Sequence, residues 1–149
     1  MPNARGEVLI YDAVEAIYNV VEATDALVTD VLDELDLTKP LADVVWVMHP
    51  DGPALTMGML AAKLRCEPST ATFLVERLVE KGLVQRGTDT RDRRRTTVSL
   101  TAAGMEARER QTTAMTTVSP LARLTPEELG TLVGLLGKAL DGLLPKYRM

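Results

Sequence analysis

A mainly helical chain with one small hairpin, α+β by strict count, is the fold class this sequence predicts. Apolar residues recur at helical spacing through most of its 149 residues. Clusters of proline and glycine cut that pattern into helix-length pieces. One stretch, Thr97-Val98-Ser99-Leu100, alternates instead with the period of a half-buried strand. The length suits one domain, able to bury a core without covalent staples.

The first helix is expected from about Glu7 to Leu35. There Val14, Ile17, Tyr18, Val21, Val28, Val31, Leu32 and Leu35 keep a helical period with acids between them. A second, shorter helix starts near Thr38-Lys39-Pro40, since proline's missing N–H costs nothing in a first turn. It stops before His49-Pro50-Asp51-Gly52-Pro53. Thr56 caps a third helix through its hydroxyl, with Met57, Leu60, Ala61 and Leu64 on its apolar face. Arg65-Cys66-Glu67 turn the chain into a fourth helix that opens on Pro68. Its stripe is Ala71, Leu74, Val75, Leu78 and Val79. It ends at Lys81-Gly82, where a cation suits the dipole and glycine supplies a left-handed cap.

Two extended pieces, Leu83 to Arg86 and Thr96 to Leu100, flank a polar loop and read as a hairpin. Thr101 caps a fifth helix bearing Glu106, Arg108, Glu109 and Arg110, expected to fade in the threonine-rich stretch before Ser119-Pro120. Thr125-Pro126-Glu127-Glu128 is a capping box. The helix it opens is expected to bury Leu129, Leu132, Val133, Leu136, Leu140 and Leu143. Its glycines, Gly130, Gly134, Gly137 and Gly142, each cost a helix about 1 kcal/mol relative to alanine, and suggest close approach of another helix. Trp46 and Tyr18 are expected in or near the core.

Charge is segregated. The chain is acidic, with a formal net charge of -4. Between Met1 and Pro50, ten acids face only Arg5 and Lys39. From Arg65 to Arg95, eight bases outnumber five acids. Arg86, Arg91, Arg93, Arg94 and Arg95 crowd around the hairpin loop. A positive tip on a negative protein points to a polyanion, which the acidic end would repel.

Other classes find little support. The one cysteine, Cys66, allows no intrachain disulfide and fits a reducing compartment. No apolar run reaches the roughly 18 residues of a membrane span, and Met1 to Glu7 lack a signal peptide's order. A cytoplasmic location with no membrane partner is expected. With one histidine, one cysteine, and no paired-carboxylate, phosphate-loop or metal-ligand spacing, neither an enzyme nor a cofactor or metal site is expected.

Helix, tight turn, helix, hairpin is the order of a helix-turn-helix with a wing. The second helix must bury one face and offer the other to the major groove, about 12 Å wide. Here Ala71, Leu74, Val75 and Leu78 face inward, and Ser69, Thr70, Thr72, Phe73 and Arg77 face outward. Hydroxyls bond phosphates or base edges, and a helix N-terminus suits a phosphate. The loop would carry arginine to the adjacent minor groove.

These residues resemble the MarR family of winged helix-turn-helix transcriptional regulators. The likeness lies in Leu55 to Ala61, Cys66 to Thr72, Leu78 to Val84, and above all Asp92-Arg93-Arg94 followed by Val98-Ser99-Leu100-Thr101. It is strong from about Leu41 to Gly104. The resemblance implies a homodimer that binds a pseudo-palindromic site in double-stranded DNA, most simply as a repressor, with a small-molecule effector. Residues 1–37 and 102–149 would dimerise, and residues 38–101 would form the DNA-binding lobe. Arg94 matches the wing arginine that enters the minor groove, and Asp92 the aspartate that orients the wing. Ser69, Thr70 and Thr72 match recognition-helix positions. Arg91, Arg93 and Arg95 are left with phosphates or solvent.

Two positions depart from the family's pattern. Phe73 stands where a base is common, and could pack on a thymine methyl. Met59 stands where glutamate is common, leaving Thr56 without a reciprocal partner. Groove insertion of Arg94 is preferred to a solvated charge. Contact and surface readings stay open for Phe73, Arg77 and Arg86. Cys66 as a redox sensor and His49 as a metal ligand are each weaker than a plain structural role. A protein-interaction module that keeps the winged fold is the alternative from another class.

Overall fold

The computed structural model describes residues 4–141. Helix α1 (Ala4–Glu34) is followed by α2 (Lys39–Val47), strand β1 (Leu55–Thr56), α3 (Met57–Leu64) and α4 (Pro68–Glu80). Strands β2 (Val84–Thr88) and β3 (Thr96–Leu100), α5 (Ala102–Val118), a short 3-10 turn (Pro120–Arg123) and α6 (Pro126–Leu140) complete it. This is the mainly α class expected, with a small antiparallel sheet ordered β1-β3-β2.

The core lies where α2, α3, α4 and the sheet meet. Val44, Val45, Leu60, Val75, Leu78 and Val98 are its largest fully buried side chains. Helix α4 supplies Ala71, Leu74, Val75 and Leu78 to that core. Val79, expected on the same stripe, is 38% exposed, because it sits a further 100° round the helix from Leu78. Strand β1 was not anticipated. Two residues carry no alternation to read, and it exists through pairing, Leu55 with Val98 and Thr56 with Thr97. The expected first arm of the hairpin is displaced to Val84–Thr88.

Helix α4 ends as its sequence asks. Gly82 takes φ 72, its N–H donates to Val79 O at 2.9 Å, and Leu83 N–H donates to Leu78 O at 3.0 Å. That pair of hydrogen bonds around a left-handed residue closes the helix. The start of α5 is clasped to the same turn. Thr101 N–H donates to Leu83 O at 3.0 Å, and Thr101 Oγ1 donates to Gly82 O at 2.6 Å. Thr101 Oγ1 also accepts from Gly104 N–H at 3.1 Å. Gly104 therefore rides against the Leu83 carbonyl.

Helix α5 does not fade in its threonines. The Thr116 hydroxyl donates back to Thr112 O at 2.9 Å and the Thr117 hydroxyl to Thr113 O, so these side chains turn inward on the helix backbone.

Burial at the two ends departs from expectation. Helix α6 has its full capping box, Thr125 Oγ1 accepting from Glu128 N–H at 3.2 Å and Glu128 Oε2 from Thr125 N–H at 2.8 Å. Yet α6 buries no residue. Leu129, Leu132, Leu136 and Leu140 are half-buried and Val133 is 54% exposed, because no other element packs extensively on α6. Leu143 and Gly142 lie outside the described residues. Cβ atoms at Gly130, Gly134 and Gly137 would meet nothing within 4 Å, so no other helix among the described residues approaches them. The first two-thirds of α1 is likewise bare, with Val8, Leu9, Ile10, Tyr11, Val14 and Ile17 exposed. Among the described residues of α1, Val28 and Leu32 are buried in the core and Val31 packs against it. Tyr18, at 71% exposed, and Trp46, at 37%, are not core residues, since the face they occupy is uncovered.

Candidate nucleic-acid interface

The candidate residues lie on the outward side of α4 and on the β2–β3 loop, and β2, which leads into that loop, packs on α4. Ser69, Thr70, Thr72, Phe73 and Arg77 all stand exposed on α4, opposite the four residues that anchor it. Thr72 is partly committed, its hydroxyl donating to Pro68 O at 2.9 Å. The Ser69 and Thr70 hydroxyls are exposed and make no hydrogen bond among the described residues. Glu67 makes no side-chain cap, so the first N–H groups of α4 also remain open to an acceptor. Phe73 is 55% exposed and Arg77 lies over its ring at 5.3 Å. Arg77 also bonds Glu80 at 3.0 Å, and the three side chains cover one ridge of the helix.

Arg86, on β2, reaches Glu76 on α4 at 3.8 Å. Its charge thus helps seat the hairpin against the helix. This pair could not be read from spacing alone, because the partners belong to different elements.

The loop itself is built by two aspartates. Asp92 Oδ1 accepts from Arg94 N–H at 3.0 Å, and Asp89 Oδ1 accepts from Arg91 N–H at 2.8 Å. Such two-residue side-chain turns are characteristic of aspartate. Backbone bonds from Arg95 N–H to Asp92 O at 2.9 Å and Asp89 N–H to Arg95 O at 3.0 Å close the loop. Arg95 is drawn back, its Nε 3.5 Å from Asp92 Oδ2. Arg93 and Arg94 are exposed, and their guanidinium groups make no ion pair among the described residues. The part played by Asp89 went unread, although the repeated aspartate two residues before a basic residue was its signal.

The remaining candidates lie elsewhere. Cys66 is half-buried in the α3–α4 turn. His49 is exposed, and no three His, Cys, Asp or Glu side chains among the described residues could hold a metal. No helix among them is long and apolar enough to cross a membrane.

The profile of the MarR family matches residues 37–96, which span this face from α2 to the start of β3. The reduced form of MarR from E. coli is 28% identical, with a TM-score of 0.68 over 85% of this chain and 95% of that one. Over residues 37–96 the chain matches the MarR family. Its fold is that of the family's DNA-binding transcriptional regulators. A MarR-family regulator from Silicibacter pomeroyi, 22% identical, shares the fold with a TM-score of 0.72 over 89% of this chain and 90% of its own. A MepR mutant from S. aureus bound to an oligodeoxyribonucleotide, 23% identical, does so at 0.61 over 90% and 98%. In sequence, a Thauera aromatica protein described as a candidate transcriptional regulatory protein for the hcr operon is 36% identical over 88 residues, 58% of this chain. That match spans about half of the relative's length, 53%. The segment matched by the family covers the aspartate-built loop and α4, and excludes α1 and α6.

Proposed function

We propose that this protein is a homodimeric transcriptional regulator, acting as a repressor in the cytoplasm, that binds a pseudo-palindromic site in double-stranded DNA and responds to a small-molecule effector. It acts by binding and carries out no catalysis. The loop that carries Arg94, closed by Asp92 and leaving an exposed guanidinium with no ion pair among the described residues, is the observation that supports DNA contact. In this reading α4 lies in the major groove, with Ser69, Thr70 and Thr72 on phosphates or base edges. Arg94 enters the neighbouring minor groove, and Arg93 neutralises phosphate. Phe73, Arg77, Arg86 and Arg95 border the contact.

The uncovered faces of α1 and α6 favour a dimer. Contiguous exposed apolar surface of this kind is rare on a monomer, and a second copy would cover it. Dimerisation would use residues 1–37 and 102–149, and DNA would meet residues 38–101. Two lobes held one helical turn apart, about 34–36 Å, would read a two-fold site. Effector binding that changed this spacing would release it.

Gel filtration and fluorescence anisotropy test this together. The protein should elute as twice its 16.2 kDa chain and bind random duplex at low salt. The double variant Ile17→Glu, Leu135→Glu should elute as one chain and lose DNA affinity. A wild-type monomer, or no binding to any duplex at low salt, would remove this reading.

A further inference from the structure

A cleft of about 780 Å³ opens between α1, α2 and α5. Its size is that of a small-molecule site. Tyr18 and Trp46 offer it aromatic surface, and Val21, Val28 and Met115 aliphatic surface. Its polar lining is one-sided. Glu22, Asp25, Asp33 and Asp43 contribute carboxylates, and Lys39 is the one base lining it. Lys39 is already used, bonding Asp43 at 2.6 Å and lying 4.0 Å from Asp25. Glu22 and Asp33 keep unpaired carboxylates among the described residues.

A second, independent feature lies on the α5 wall. Gln111 lines the cleft and is only 4% exposed. Its Nε2 donates to Ala42 O at 3.3 Å, which fixes the orientation of the amide. Its Oε1 is buried and accepts from no donor among the described residues. A buried acceptor left unmet is costly, and what would satisfy it is an N–H or O–H. The surroundings select a donor that also tolerates an excess of negative charge.

We propose that this cleft binds a lipophilic organic cation bearing an N–H donor. Its apolar body lies against Tyr18 and Trp46, the acidic rim attracts its charge, and Gln111 Oε1 accepts its N–H. This rests on the ligand-responsive reading above and names the chemical class of that ligand.

Trp46 is the only tryptophan and lines the cleft, so its fluorescence reports occupancy in the absence of DNA. The probes are phenylbutylammonium, phenylbutyltrimethylammonium, phenylbutanol and phenylbutyrate. Phenylbutylammonium should perturb Trp46 saturably. Each unpaired rim carboxylate is worth a factor of roughly two to five at an exposed site, so phenylbutyrate should bind at least about tenfold more weakly. The trimethylated cation, which has no donor, should lose a factor of about two to ten. Glu22→Gln with Asp33→Asn should reduce the ammonium-to-carboxylate preference. Gln111→Met should abolish the ammonium-to-trimethylammonium preference, and if that variant fails to fold the rim variant carries the test.

Equal or tighter binding of phenylbutyrate, or no saturable Trp46 response to phenylbutylammonium, would overturn the proposal. The DNA reading is judged separately. Saturable cation binding that leaves anisotropy on DNA unchanged would remove ligand response and keep the ligand class. DNA binding with no cation preference would remove the ligand class and keep the DNA reading.

Discussion

Gly104→Ala places a methyl group where the fold has no room. A Cβ at Gly104 would lie 1.9 Å from Leu83 O, 2.9 Å from Leu83 C and 3.2 Å from a Leu100 methyl. Real Cβ atoms essentially never come within 3.0 Å of such neighbours, so the start of α5 must retreat by more than 1 Å. The obstacle is backbone, which cannot swing aside as a side chain would. A retreat of that size breaks the clasp from Thr101 N–H to Leu83 O, now 3.0 Å, and pulls on the one from Thr101 Oγ1 to Gly82 O, now 2.6 Å. Each bond is worth about 0.5–1.5 kcal/mol net. Residual crowding adds about 1–3 kcal/mol. The expected loss is therefore about 2–6 kcal/mol, a large part of the total stability of an ordinary domain. Urea denaturation followed by circular dichroism, with wild type and variant at the same protomer concentration, measures it. A loss below about 1 kcal/mol would show that α5 can retreat freely and that the clasp does not fix its start.

Gly82→Ala meets nothing nearby but must hold φ +72, so left-handed strain alone should cost about 1–2 kcal/mol in the same assay. Asp92→Ala removes the acceptor for Arg94 N–H and should lower DNA affinity with little change in stability, the loop being exposed. Asp92→Asn keeps an Oδ1 acceptor and should restore most of that affinity in anisotropy titrations. Arg94→Ala should weaken binding to most sequences and flatten the plot of log affinity against log salt by about one unit for each phosphate charge it neutralises. An unchanged slope would place Arg94 in solvent.

The lobe was legible because its signals are local. The caps at Thr56, Thr101 and Thr125, the proline at Pro68 and the glycine at Gly82 each announce an element boundary through their own backbone chemistry. The aspartate-arginine loop is likewise written in neighbouring residues. What stayed hidden depends on partners distant in the chain. Strand β1 exists only against β3, Arg86 finds Glu76 across elements, and Gly104 is required by a carbonyl some twenty residues earlier. Helical periodicity over α1 and α6 was read correctly as amphipathic, but periodicity says that a face is apolar, not which molecule covers it. That is why Leu129 to Leu140 were expected to be buried and are not. Tyr18 and Trp46 failed for the same reason, aromatic bulk being taken as a sign of the core.

Ion pairing changes how the basic segment should be understood. By count, the stretch from Arg65 to Arg95 is only modestly basic, and three of its arginines are held by acids close at hand. Arg77 is bound to Glu80 at 3.0 Å, Arg86 approaches Glu76 at 3.8 Å and Arg95 approaches Asp92 at 3.5 Å. Among the described residues Arg91, Arg93 and Arg94 form no ion pair, and all three sit in the β2–β3 loop. Positive potential is therefore concentrated at the loop, while α4 offers hydroxyls, backbone N–H groups and the Phe73 ring. The two parts consequently differ in what they can contribute. Charge attracts any duplex and weakens with salt; hydroxyls and an apolar ring distinguish one base edge from another. Loss of loop arginine should lower affinity across sequences, whereas changes on α4 should alter which sequence is preferred.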